Sequence, residues 1–435
     1  MKRVRYCLTA LAMLLLLAGP SAWAMENTGR ELTLSESIEL ALKNNPSIKI
    51  AEGQKEKAAW TVKQAQAAQG VSIDYTYQQT RTDAPPSWVN QSAVWQVPYY
   101  NHFSNQISAT LSLYTGGKVE NTIAQAKKSS QIAVLSESQT KQQLKLDTTR
   151  AYFNVLQSLN LRDIARQSVD DFAAHLKNVQ NQFDAGTVAK VDVLQTKVQW
   201  ANAQDSLIKA QNNYDVAVFN LNTIMGLPLY ESIRTKESLE YQPYPLTIEE
   251  CVDTALTKRP EMAEAQLSLG VAQDQIKIAK GDKLPSVALT ASSSWQDTAS
   301  PGWNYNTKSI TLLAKYNIFD SGQTESKIKQ ADAALTIAGQ QAQQTRDSIS
   351  LEASSAYLTL KEAEKRIETN KVAVEHAELD FSLAQERYQA GVGTNLDVID
   401  SELALAKART NYTQALYDYN TGKAQVEHAM GVTVN

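Results

Sequence analysis

Long apolar runs are almost absent from this 435-residue chain. The one that exists, "LTALAMLLLLA", stands near the start. It follows Lys2, Arg3 and Arg5 and precedes the small residues of Ala22-Trp23-Ala24. A membrane-spanning helix needs roughly 20 apolar residues, so this pattern reads as a secretory signal over 1–24, cut before Met25. No later run could cross a bilayer as a helix. The chain is therefore soluble, or it crosses a membrane as β-strands, whose sequence signal is weaker. Cysteine is scarce as well: Cys7 leaves with the signal and Cys251 stands alone. No intrachain disulfide can form, although export would permit one. The expected mature start carries no cysteine, which excludes an amino-terminal lipid there. Positive charge is in deficit. The net charge of −4 becomes −7 when the three basic residues of the signal are removed, and an acidic chain argues against a nucleic-acid partner. The four histidines, at 102, 175, 376 and 428, are scattered. They show no metal-ligand spacing, no nucleophile has a plausible base, and such histidines on long helices read as surface residues. Neither an enzyme, a metal centre nor a cofactor site is expected.

What the chain does contain is a duplication, and repeats come before other readings. "FDAGTVAKVDVLQ" from Phe183 and "YQAGVGTNLDVID" from Tyr388 match, with Gly186 and Gly391 lying 205 residues apart. The same offset pairs Gly117 with Gly322, Tyr152 with Tyr357, Asp192 with Asp397 and Gly226 with Gly431. Upstream the offset is 214, as in Thr33 with Thr247 and Pro46 with Pro260. The first copy therefore holds nine extra residues between about 74 and 113. Two copies of one unit are expected, 25–230 and 231–435, joined near "LPLYESIRTKESLEYQPYP".

Each copy opens with a capping box, Thr33-Leu-Ser-Glu36 and Thr247-Ile-Glu-Glu250. A short helix stops at "NNP" or "KRP", where proline suits the first position of the next helix. Alternation then replaces helical spacing: Val71, Ile73, Tyr75 and Tyr77 share one face, as do Ile107, Ala109, Leu111 and Leu113. Two hairpins follow, about 71–114 and 285–318. Their strands have roughly the 9–11 residues that cross a bilayer when tilted.

From 118 to 183 there is neither proline nor glycine. That predicts a helix of about 100 Å, with a counterpart over 323–388. Tips follow at 184–190 and 389–395, then helices over 190–225 and 395–430. Two short helices stacked end to end match one long helix in length. A three-four seam runs through Val191, Leu194, Val198, Ala201, Asp205, Ile208 and Asn212 and repeats from Leu396 through Tyr417. It is thin and fades into polar residues, which suits helices side by side in a wall wetted on both sides. A long soluble coiled coil fits the helices too.

Four strands cannot close a barrel, and open edges in lipid leave backbone groups unpaired. If the strands enter a bilayer the chain must oligomerise, to eight strands as a dimer or twelve as a trimer. The loops hold Pro85, Pro86, Trp88, Trp95 and "PGWNY", of the kind found at lipid–water interfaces. A soluble sheet capping the helices is the other reading of these strands.

The order of these parts is capping-box helix, hairpin, "LYTGGK" or "IFDSGQ", long helix, "F-x-x-G" or "Y-x-x-G" tip, then a helix to "MGLP" or "MGV". In both copies it resembles the TolC-like outer-membrane efflux family across the whole mature chain. The fold class this implies is mainly α with a β-barrel portion, in two tandem repeats. Long helices form a periplasmic α-barrel, and four strands per chain form a twelve-stranded barrel in a homotrimer. The resemblance further implies an outer-membrane location, contact with outer-membrane lipid, a periplasmic adaptor and an inner-membrane transporter as partners, and passive exit of drugs, ions or proteins. A non-conducting trimeric coiled coil or adhesive envelope protein is the alternative.

At the tips, Gly186 and Gly391 suit the left-handed residue that ends a helix. Asp192 and Asp397 fall in the first turn of the next helix, where the dipole favours an acid. Asp400 lies on the same face as Asp397, whereas the first copy has Gln195 there. By resemblance, Asp397 and Asp400 would line the periplasmic entrance as acid rings, which attract cations and whose crowding raises some carboxyl pKa values. Tyr388 would hold the entrance shut by bonding the other tip, where Asp192 lies; packing beneath the turn is the other reading. Some relatives carry an arginine between the tip glycine and the acid pair. Here the stretch is "VGTN", with Lys190 on the other tip as a substitute.

Overall fold

The computed structural model describes residues 30–83 and 99–432. The proposed signal over 1–24 and the loop residues Pro85, Pro86, Trp88 and Trp95 lie outside the described residues. The first copy runs β1 (Arg30–Leu32), α1 (Leu34–Asn44), α2 (Pro46–Ala67), β2 (Val71–Thr82), β3 (Tyr100–Tyr114), α3 (Lys118–Asp184) and α4 (Lys190–Met225). The second runs β4 (Ile233–Thr235), α5 (Ile248–Lys258), α6 (Pro260–Gly281), β5 (Ser286–Asp297), β6 (Tyr305–Lys315), α7 (Gln323–Gln389) and α8 (Asn395–Ala429). Both capping boxes form, with Thr33 and Thr247 capping α1 and α5, and Pro46 and Pro260 open α2 and α6.

The helices make a layer one helix thick. α3 and α7 each have 67 residues, or about 100 Å at the α-helical rise. α3 packs against α2 and α6 along one half and α4 and α8 along the other, and α7 packs against α6 and α8. Across the layer the order is α2, α3, α6, α7 towards the sheet and α4, α3, α8, α7 towards the tips. Its two edges, α2 with α4 and α7, carry no further helix on their outer sides among the described residues.

The position of α4 at an edge decides which of its stripes is packed. Val193, Thr196 and Ala203 are buried towards α3 and α8, whereas Val191, Leu194, Val198 and Ile208 are exposed. The seam expected to pack is thus the stripe left open on this copy, and the packed stripe is two positions out of phase. α8 has helices on both sides, so its corresponding stripe is divided: Ile399 and Thr413 are buried while Leu396 and Leu403 are exposed.

The four long strands form one antiparallel sheet in the order β2-β3-β5-β6, which joins the two expected hairpins and leaves β2 and β6 as edges. Register gives the sheet two chemically distinct faces. On one, the rungs read Val71–Leu111–Leu289–Leu312, Ile73–Ala109–Ala291–Ile310 and Tyr75–Ile107–Ser293–Lys308. The intervening rungs read Ser72–Thr110–Thr290–Thr311, Asp74–Ser108–Ser292–Ser309 and Thr76–Gln106–Ser294–Thr307. Period-two alternation puts each set on its own side. Trp303 from the short loop packs on Trp295 with ring centroids 5.0 Å apart.

A belt at mid-length, which sequence reasoning missed, ties the copies together. β1 and β4 pair in parallel, and Leu32 and Ile233 enter the main core with Tyr152, Val155, Leu221 and Met225. The buried Tyr152 hydroxyl donates to the Leu32 carbonyl at 3.0 Å. The segment expected to join the copies holds β4 and is part of this packing.

Candidate functional site

The tips lie at the far end of the layer from the sheet. Each long helix ends in the same turn because a glycine takes a conformation that side chains resist. Gly186 has φ 78° and Gly391 has φ 75°. The first turn closes with Gly186 N–H to Phe183 O at 2.8 Å and Thr187 N–H to Gln182 O at 2.9 Å. In the second, Gly391 N–H reaches Tyr388 O at 3.1 Å, and Val392 and Gly393 both donate to Arg387 O.

The two acids at matching positions have different surroundings. Ala189 precedes α4 and offers it no side-chain cap, and Asp192 keeps its carboxylate unpaired among the described residues. α8 starts with a third capping box: Thr394 N–H donates to Asp397 at 2.9 Å, and Asp397 N–H donates to Thr394 Oγ1 at 3.1 Å. These bonds hold the Asp397 carboxyl below the usual range, chiefly through the Thr394 backbone N–H, with a smaller contribution from the Arg387 charge. The Thr-x-x-Asp signal was readable, since it has the form of the two boxes recognised upstream.

Asp397 and Asp400 are both exposed and line one open hollow of about 400 Å³ between α7 and α8. Asp380, Leu383, Arg387 and Ser401 line it too. Arg387 and Asp380 were missed because they lie on the incoming helix, outside the tip motif.

Tyr388 does not bond Asp192. It is buried among Val179, Val193 and Val398, and its ring stands edge-on to His175 at 5.1 Å between centroids. Its hydroxyl has no partner among the described residues. Burial first, and the Asp192 charge second, push its pKa up. Lys190 is exposed and makes no ion pair with either tip.

The bond between the tips is made elsewhere. Asn395, the first residue of α8, is buried and accepts from Thr196 Oγ1 at 3.0 Å. It meets His175 Nε2 at 2.8 Å and donates to the Asp192 carbonyl at 3.3 Å. His175 was expected at the surface, yet it is 5% exposed; the α3–α8 seam encloses it, and burial lowers its pKa. Seven residues along α8 the seam repeats a polar contact, Ser168 Oγ to Glu402 at 2.5 Å. Burial pushes this carboxyl up to about 7.

Comparison with known proteins bears on the family and the fold. The profile of the family described as Outer membrane efflux protein matches residues 37–227 and 251–432, one match per copy. The chain is 24% identical to the Outer membrane protein TolC of Escherichia coli, over 96% of this chain and 86% of that protein. It is also 24% identical to the Alkaline protease secretion protein AprF of Pseudomonas aeruginosa, covering 92% and 85%. The crystal structure of the Campylobacter jejuni CmeC outer membrane channel superposes with a TM-score of 0.81 at 17% identity, over 93% of this chain and 86% of that one.

Proposed function

The chain belongs to the outer membrane efflux protein family, and we propose that it is the passive exit duct of a tripartite efflux or type I secretion system. The observation that carries this reading is the two-faced, open-edged sheet set on an open-edged layer of helices. A sheet with one Ser/Thr/Gln face and one Val/Ile/Leu face suits a barrel with water inside and lipid outside. Its free β2 and β6 edges would be costly in hydrocarbon unless they pair. Three copies supply twelve strands, and β6 of each protomer meets β2 of the next. The same closure sets α7 of one protomer against α2 and α4 of the next, covering the exposed Val191–Leu194–Val198 stripe of α4 with the exposed leucines of α7.

The barrel then sits in the outer membrane, and the helices reach through the periplasm towards an adaptor and an inner-membrane transporter. The Gly186 and Gly391 turns form the entrance rim, and the threefold axis gathers Asp397 and Asp400 into a cation-attracting constriction. The contact of α3 and α4 with α8, through His175, Thr196 and Asn395, carries the closure between tips in place of a Tyr388–Asp192 bond, and Lys190 stands on the rim as a cation without an ion pair among the described residues. A water-soluble adhesive coiled coil would leave the exposed apolar face of the sheet, with Val71, Ile73, Ile310 and Leu312, without a covering. Electrophoresis of outer-membrane extracts tests the assembly. A heat-sensitive trimer that needs detergent for extraction is expected; an extended oligomer soluble without detergent would refute it.

A further inference from the structure

We propose that Arg387 is the counter-cation of the entrance acids and tunes the ion selectivity of the duct. This rests on the entrance reading above and adds a specificity-determining residue to it. Arg387 lies on the last turn of α7, and its side chain lines the same hollow as Asp380, Asp397 and Asp400. It is exposed and makes no ion pair within the chain among the described residues, so its guanidinium donors stay available to carboxylates.

The turn brings the leg that carries Arg387 close to the outgoing leg. The Arg387 carbonyl accepts from both Val392 and Gly393 at 2.9 and 3.0 Å, folding the outgoing chain back over the end of α7. A Cβ at position 393 would stand 3.1 Å from Arg387 Cβ and 3.0 Å from the Tyr388 backbone nitrogen. Any side chain there, arginine included, would press on α7. Gly393 lets the two legs close, and the cation is carried by the opposite leg of the same turn.

Each chain therefore brings one guanidinium against three carboxylates to the hollow. Removing it takes the local net charge from −2 to −3 per chain, a change the threefold axis repeats three times. A ring of acids selects cations by its field, and a tethered cation inside the ring weakens that field. Its presence also accords with the depressed Asp397 carboxyl, to which the Arg387 charge contributes.

The test is the reversal potential of the full-length oligomer, purified in detergent and placed in planar bilayers under a KCl gradient. In Arg387→Gln and Arg387→Ala, the cation-over-anion permeability ratio is expected to rise roughly twofold or more. Arg387→Lys, which keeps the charge, should stay near wild type. The double variant Asp397→Ala/Asp400→Ala should lower the ratio. If that double variant lowers the ratio while both charge-removing Arg387 variants match wild type, the role of Arg387 is overturned and the entrance reading stands. If neither set moves the ratio, the entrance reading falls and the proposal with it.

Discussion

At the scale of single residues, the tips show how one motif can be kept for different reasons in two copies. Gly391 meets no atom that a Cβ would touch, so its requirement is conformational alone. Gly391→Ala should cost about 1–2 kcal/mol through positive φ, seen as faster hydrogen exchange in the turn and not as loss of assembly. Thr394→Ala, which removes the cap, should destabilise the start of α8 by about 1 kcal/mol. The matching Ala189 already lacks a cap, so the same measurement at α4 should show the weaker protection natively; equal protection at both starts would contradict this. The glycines and acids were legible in the sequence because each acts on its own turn. Arg387, His175 and Asn395 were not. Their partners lie on another leg or in the other copy, and no spacing rule joins His175 to a residue 220 positions away.

Between elements, the seam of α3 against α8 is one of the places where the two copies meet, and it holds two buried titratable groups. Glu402 is buried with one oxygen on Ser168, the other without a partner among the described residues, and Asp171 and Arg409 nearby. Its carboxyl is pushed up from 4.5 to about 7. A raised carboxyl stabilises the fold fully below about pH 4.5, and this contribution is lost as pH rises through about 7. The span is worth on the order of 3 kcal/mol. His175, lowered by burial, works in the other direction: its contribution is present above its ordinary 6.5 and is lost as pH falls. Glu402→Gln should therefore flatten the decline between pH 5 and 7 in thermal melts, and an unchanged slope would count against Glu402. The seams also show why helical periodicity was only partly informative. Spacing shows that α4 has apolar stripes, but which stripe is packed depends on α4 being at the edge of the layer, and that is a property of the assembly.

For the whole molecule, the duplication made most of the architecture legible. Each copy repeats the same boxes, prolines and tip glycines, and local rules place the elements. The belt of β1 and β4 was not legible, because strands of three residues carry no usable period. That the two hairpins share one sheet was not legible either, since β3 and β5 meet only across the repeat. If one sheet face meets lipid and the other water, arginine substitutions on neighbouring rungs should behave differently. Ala291→Arg, on the apolar face, should block membrane assembly, at about 2–4 kcal/mol per arginine near the bilayer midplane. Ser292→Arg, on the polar face, should assemble and alter conductance. Equal tolerance of both would remove the membrane assignment of the faces.

Closure of three such layers into a conducting duct, with its constriction at the second-copy tips, can be read by single-channel recording in planar bilayers. Wild type is compared with Asp397→Ala/Asp400→Ala. Small, discrete, cation-selective currents are expected, with a selectivity that falls in the double variant. A membrane-inserted, folded trimer that passes no current in either form would contradict a conducting duct.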